Sequence, residues 1–366
     1  MITIQSVIDV LEDLAPSTYQ ESYDNAGLLT GKPADECTGI ICTLDATEEV
    51  ILEAAKQGCN MIVAHHPIIF SGLKKINGKN YIERAVIAAI KNDISIYAIH
   101  TNLDNILQGV NGKMADLLGL ENRQVLLPKQ NNLMKLLTFV PVDHMEEVRE
   151  AIFKAGGGHI GKYSECSFVL PGKGSFKPED GADPFVGEIG KRQEEDEVKM
   201  EIIFPSYRMK KIIAAMIEAH PYEEVAYDII SLANYFKDVG SGLLGELTEE
   251  ADEKEFLQLV KEKFNLSVVR HTPLLNKKVK KVALCGGAGS FLINTAKSAI
   301  ADVYITADVK YHEFFDADNQ LLVADIGHWE SEQFTIDLLH EVLQSNFTTF
   351  AVRKSEIKTN PVNYFI

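Results

Sequence analysis

Ile62-Val63-Ala64-His65-His66-Pro67 runs an apolar segment, Met61 to Ala64, straight into two adjacent histidines and a proline. An apolar run of this length reads as a buried strand. Proline lacks a backbone donor and fixes φ, so the ladder ends there. Two imidazoles therefore stand at a strand's C-terminal end, where open α/β sheets place their ligands. Neighbouring side chains on a strand point to opposite faces. His65 and His66 serve one site only if the chain turns between them, which Pro67 favours; a pair of half-exposed loop histidines is the plainer alternative.

Working outward, the strand is flanked by others of the same style. Gly39–Leu44 and Ile94–Ile99 read as strands, Thr47–Gly58 and Tyr81–Asn92 as helices, and Asn111–Leu118 as a further helix. Alternating strand and helix argues a mostly parallel sheet. The style changes after Leu127-Pro128-Lys129. Strands at 133–140, 167–170, 197–204 and 225–232, with helices at 144–155 and 207–220, follow the βαβ-βαβ order of a ferredoxin-like module inserted over residues 131–233. Residues 171–184 carry no period, Glu194-Glu195-Asp196-Glu197 reads as a solvated turn, and His220-Pro221-Tyr222-Glu223-Glu224 as a helix stop. From Gly240 the first style resumes, with strands at 281–284, 301–306, 320–325 and 348–352 and a helix over 331–344.

The 366 residues suffice for two or three domains. A formal net charge of -17 disfavours nucleic acid and anionic membranes as partners. The basic run Lys277-Lys278-Val279-Lys280-Lys281 leads directly into a strand and reads as a solvated loop. No stretch approaches the roughly 18 apolar residues of a membrane span, and Met1–Asp13, acidic and helical in period, does not read as a signal peptide. Cys37, Cys42, Cys59, Cys166 and Cys285 show neither zinc-knuckle nor redox spacing. They read as reduced thiols, and the expected location is cytoplasmic.

Chemistry-bearing side chains gather at strand ends. His65 and His66 follow one strand, His100 and Asp104 the next, and His328 and Glu332 a late one; the last pair is spaced by four on a helix and so faces one way. His65, His66, Asp104, His328 and Glu332 suit zinc, iron or manganese. Five such residues favour two divalent ions about 3.5–4 Å apart with a bridging carboxylate over one ion. His100 is either a sixth ligand or an orienting partner. Cys285-Gly286-Gly287-Ala288-Gly289-Ser290 lies between a strand and a helix and can present N–H groups to an anion through Gly286, Gly287, Gly289 and Ser290, although tight strand–helix packing explains it equally. Thr306, Asp308 and His312 end the next strand and can line the same cleft. Asp24, Asn25 and Asp45 fit either the site or turn chemistry.

Asp24-Asn25-Ala26-Gly27-Leu28, Ala64-His65-His66-Pro67, His100-Thr101-Asn102-Leu103-Asp104, Cys285-Gly286-Gly287-Ala288-Gly289-Ser290 and Gly327-His328-Trp329-Glu330-Ser331-Glu332 together resemble the GTP cyclohydrolase I type 2 family, also called the Nif-three-like family. The resemblance implies an α/β fold of two similar lobes, residues 1–130 and 234–366, forming a discontinuous core with a dinuclear metal site between them. It implies that residues 131–233 form a PII-like or CutA-like insertion, and that the subunits build a toroidal homohexamer. It carries the ligand role to His65, His66, Asp104, His328 and Glu332, with Glu332 the bridge. The implied activity is hydrolytic opening of the GTP imidazole ring with release of formate. His100 or His312 would move protons there, and the Gly286–Ser290 loop would hold a phosphate. The rival expectation is a metal-binding regulatory or scaffold protein that senses a small molecule through its PII-like domain.

Overall fold

The computed structural model describes residues 1–365. The chain forms two compact units, residues 1–128 with 237–366 and residues 129–236.

The first unit contains two sheets. In spatial order the first takes Gly27–Thr30, Ser95–Ala98, Met61–His66, Ile40–Asp45 and Val352–Lys354. All neighbours but the first pair are parallel. Met61 to Ala64 are fully buried, as an apolar run covered on both faces must be. Helix Glu48–Lys56 is capped at its start by the Thr47 side chain, which accepts from the Val50 N–H. It packs with helix Tyr81–Lys91 over Ile41, Ile62 and Ile96.

The second sheet takes Arg270–His271, Leu322–Asp325, Val303–Ala307, Lys278–Ala288, Phe236–Asp252 and Glu121–Lys129. Its middle strands are parallel, and its core is built on Leu243, Phe256, Leu284 and Ile305. The two outer stretches of sequence trade strands: Glu121–Lys129 joins the second sheet and Val352–Lys354 the first. The C-terminal strand ends carry His66, Ala98, Ala307 and Asp325, and the chemistry described below starts at these ends.

The second unit has the order strand Leu133–Pro141, helix Met145–Lys154, strands Phe168–Phe176 and Gln193–Pro205, helix Met209–Ala219 and strand Tyr227–Leu232. The sheet order is 168–176, 193–205, 133–141, 227–232, antiparallel throughout, which is the split-βαβ arrangement. Val198, Met200, Ile202 and Phe204 alternate inward against Val148, Ile152, Ile212 and Met216 of the two helices. Two sequence expectations are corrected here. Residues 171–176 extend a strand, and Glu194–Glu197 lie inside one, because Gly172 pairs with Glu197 and Ser175 with Glu194. Cross-strand pairing overrides the low strand propensity of glycine and glutamate.

The five cysteines are free, and all but Cys166 are buried. Among the described residues no helix is long and apolar enough to cross a membrane.

Candidate metal centre

His65 and His66 end the third strand of the chain, and their rings lie 4.9 Å apart at 45°. Asp104 closes the short helix Thr101–Asp104, while His328 and Glu332 start and end the helix His328–Glu332. The expected helix over 331–344 is broken into His328–Glu332 and Thr335–Asn346, and the first piece is the one that holds the side chains. His328 and Glu332 remain one turn apart, with His328 Nε2 3.2 Å from Glu332 Oε2.

Each of four histidines is fixed through Nδ1. His65 donates to the Ile99 carbonyl at 2.8 Å, His66 to Asp45 at 2.8 Å, His100 to Asp24 at 2.8 Å and His328 to Asp308 at 2.6 Å. A carbonyl or carboxylate partner assigns the proton to Nδ1 and leaves Nε2 to face the centre. Carbonyl or carboxylate partners of this kind orient metal-bound imidazoles. Asp24 and Asp308 thus have a definite task, as does Asp45, whose other oxygen accepts from Thr359 Oγ1 at 2.5 Å.

The orphaned atoms are informative. His65 Nε2 and Asp104 Oδ1 are both buried without a hydrogen-bond partner, 3.7 Å apart. Two acceptors facing each other in a dry site need a positive charge between them. A proton on His65 does not supply it, since burial pushes this imidazole below its ordinary range. Burial, reinforced by the charge of Glu332, pushes the Asp104 carboxyl well above the carboxylate range. A bound divalent cation reverses that logic.

The other half of the cluster makes the same demand. His66 Nε2 and His328 Nε2 stand 3.4 Å apart, and His66 Nε2 is 2.9 Å from Glu332 Oε2. Burial alone would push both imidazoles down. Hydrogen bonds to Asp45 and Glu332 instead raise His66 to about 9, and those to Asp308 and Glu332 raise His328 to about 11. Burial also opposes the charge on Glu332, yet the hydrogen bonds from His328 and His66 hold its carboxyl well below the usual range. Three side-chain groups here have ligand atoms close enough to hold a metal ion: His65 with Asp104 and Glu332, His66 with His328 and Glu332, and His65 with His66 and His100. Glu332 belongs to the first two, facing His65 with Oε1 and His66 and His328 with Oε2.

The glycine loop packs closely against Glu332. The N–H groups of Gly286, Gly287 and Gly289 are taken by Asn111, Ser331 and Thr306 at 2.9, 2.9 and 3.0 Å. The Ser290 side chain is engaged by Glu313. The three glycine N–H groups are therefore engaged within the fold. Their shape serves Glu332: a Cβ on Gly287, whose φ is +63°, would lie 2.3 Å from Glu332 Oε1. His312 lies apart from the cluster, exposed on a 3₁₀ turn with its ring against Tyr311 and Phe315 and belonging to none of the three groups. His100 is with the cluster, 5.3 Å from the His65 ring and 5.4 Å from that of His66. Beside the cluster a cavity of about 470 Å³ is lined by His66, His328, Arg270, Glu330 and the C-terminal residues Asn360 and Tyr364, among others. Thr359, Asn111 and Ser331 carry no local sequence signal; their partners lie 314, 175 and 44 residues away.

A family model described as Duf34/NIF3 (NGG1p interacting factor 3) matches residues 2–361. The protein named GTP cyclohydrolase 1 type 2 homolog from Bacillus subtilis is 40% identical over 365 residues, 98% of each chain. The protein of that name from Mycobacterium leprae is 36% identical over 368 residues, 98% of this chain and 95% of its own. The crystal structure of a Bacillus cereus protein related to NIF3 superposes with a TM-score of 0.87 at 38% identity, over 100% of this chain and 99% of that one. Staphylococcus aureus protein SA1388 gives a TM-score of 0.77 at 28% identity over 100% and 99%.

Proposed function

The chain belongs to the Duf34/NIF3 family, and from that membership we propose that its histidine–carboxylate cluster is a dinuclear divalent-metal centre that hydrolyses the imidazole ring of GTP. The observation that carries the dinuclear reading is Glu332, whose two carboxylate oxygens face two different sets of donors. His65, Asp104 and Oε1 of Glu332 would hold one ion, and His66, His328 and Oε2 the other. When bound, such ions supply the charge that lowers the pKa of an attacking water toward neutrality. Zinc, iron and manganese all suit this mixed donor set.

The chain's own groups then do the positioning and proton handling. His100, fixed by Asp24 at Nδ1, takes a proton at Nε2. Burial would raise the Asp24 carboxyl, but hydrogen bonds from His100 and Thr101 hold it at about 2, so a stable anion backs the imidazolium. Water adds at C8 of the purine, a C8–N bond opens to a formamide, and a second water releases formate. The cavity of about 470 Å³ beside His66 and His328 receives the nucleotide. The subunits assemble as a toroidal homohexamer in the cytoplasm, which light scattering on the purified chain addresses.

The deciding assay is formate release from GTP by protein loaded with zinc, iron or manganese. Turnover that disappears in Glu332→Gln supports the reading; no formate with any of the three metals ends it. The second reading, a metal-binding regulator that senses a small molecule, is favoured by the separate cavity in residues 129–236. Under that reading the metal is retained but no nucleotide is consumed.

A further inference from the structure

The segment His220-Pro221-Tyr222-Glu223-Glu224 does more than stop a helix. Tyr222, Glu223 and Glu224 line a cavity of about 780 Å³ wholly within residues 129–236, together with Phe139, Phe176 and Phe185. Ligand sites commonly occupy about 300–1,000 Å³, mostly apolar with a few placed polar groups. The placing here is built by a chain of hydrogen bonds. His220 is buried; its Nε2–H donates to the Phe139 carbonyl at 2.9 Å, and its Nδ1 accepts the Tyr222 N–H at 3.1 Å. Both ring nitrogens are used by a neutral imidazole, which sets Tyr222. The Tyr222 hydroxyl donates to Glu197 Oε1 at 2.8 Å. Glu223 accepts the Asp183 N–H at 2.9 Å and ties down the loop that carries Phe185.

Glu197 is the anomaly. It is only 8% exposed, and Gly174 gives it room, since a Cβ there would lie 2.1 Å from Glu197 Oε2. Of the three lysines that line the cavity, Lys199 pairs with Glu201 at 2.7 Å and Lys173 with Asp196 at 3.5 Å, and Lys177 forms no ion pair among the described residues. Among the described residues no cation forms an ion pair with Glu197. A buried carboxylate without a countercharge is costly. It stands beside an aromatic group in which Phe176 and Phe185 lie 5.9 and 6.1 Å from the Tyr222 ring, and aromatic faces attract cations.

We propose that this cavity binds a small organic cation with an apolar body, its ammonium group on the Glu197 carboxylate and its body against Phe176, Phe185 and Tyr222. The site stands apart from the proposed GTP reaction and does not depend on it.

Two matched pairs of probes test this on the full chain by titration calorimetry and saturation-transfer NMR: phenethylamine against 2-phenylethanol, and choline against 3,3-dimethylbutan-1-ol. Each pair keeps the shape and changes the charge. At least one cation should bind saturably, about tenfold or more tighter than its neutral partner, the scale of a charge-assisted hydrogen bond for phenethylamine and of a desolvated cation–π contact for choline. Glu197→Gln should erase that preference. Phe185→Ala, which alters a half-exposed ring and leaves the core intact, should weaken the cation severalfold, and keeps the test alive if the Glu197 variant does not fold. Absence of saturable binding by both cations overturns the proposal, as does equal binding of the neutral partners or a preference that survives both substitutions.

Discussion

Glu332 and Glu197 are both buried glutamates, 3% and 8% exposed, and they differ in what surrounds them. Glu332 faces three imidazole nitrogens within 3.9 Å, each imidazole fixed from behind by its own acceptor. Glu197 has one hydroxyl and a set of aromatic rings. The first environment is rich in lone pairs held in rigid directions, which suits a small, multiply charged ion that takes several short bonds. The second offers one carboxylate and polarisable faces, which suits a diffuse, singly charged group. Under both proposals a buried carboxylate receives a positive charge, and the neighbours specify what kind.

The contrast breaks first at Glu332. Glu332→Gln removes the shared carboxylate from both donor sets, and metal content after dialysis against a mild chelator should fall from two ions per chain to one or none. The loss in affinity should exceed the about 10–100-fold typical of losing an orienting partner. Glu197→Gln should leave metal content unchanged. Two ions retained by the Glu332 variant would show that the carboxylate does not bridge.

Removing metal from the native chain comes next. Without cations, the orphaned His65 Nε2 and Asp104 Oδ1 face one another uncompensated. Ligand at a hundred times its dissociation constant stabilises a fold by about 2.7 kcal/mol per site. Chelation should lower the thermal midpoint, and zinc or manganese should restore it. An unchanged midpoint across saturating metal would mean that the cluster satisfies itself with protons.

The gathering of these side chains was legible because most of them sit where a strand or helix ends, as His65 and His66 do before Pro67 and His328 after Gly327, and a strand end is visible in a pattern of apolar residues. The orienting groups were legible only as alternatives. Asp45 and Asp308 end strands too, but turn chemistry explains an aspartate at such a place equally well, and nothing local distinguishes a side chain that holds an imidazole. Thr359 was illegible, since its bond to Asp45 spans 314 residues. The glycine loop stayed open between two readings because the same small residues serve close packing and anion binding; Glu332 uses the volume, and Asn111, Ser331 and Thr306 accept from the loop's glycine N–H groups. Of the acidic run 194–197, one member is buried and accepts from a tyrosine 25 residues away, which no count of charges reveals.

A finer comparison sets Asp45 against Asp24. Both hold an imidazole at 2.8 Å, but His66 belongs to a donor set with Glu332, whereas His100 shares a group only with His65 and His66. Asp45→Asn should weaken metal about 10–100-fold in competition with a chromophoric chelator. Asp24→Asn should weaken it less and should instead change the pH dependence of any turnover. Equal metal loss in the two variants would make His100 a ligand rather than a proton carrier.

The smallest effect is expected at Tyr222. Burial, then the hydrogen bond to Glu197, pushes its hydroxyl above the usual tyrosine range, so at neutral pH it is a firm donor to that carboxylate. Tyr222→Phe keeps the ring and removes the donor, leaving Glu197 with one hydrogen bond fewer. A net hydrogen bond is worth about 1 kcal/mol, and Tyr222 is partly solvent-accessible, so water can replace some of what is lost. Urea unfolding should show destabilisation of about 1 kcal/mol, with no change in metal content. Because the variant leaves a less satisfied carboxylate, a bound organic cation should recover more stability in it than in the native chain. No destabilisation would mean that Glu197 is already well solvated, and the case for a cation in its cavity would weaken with it.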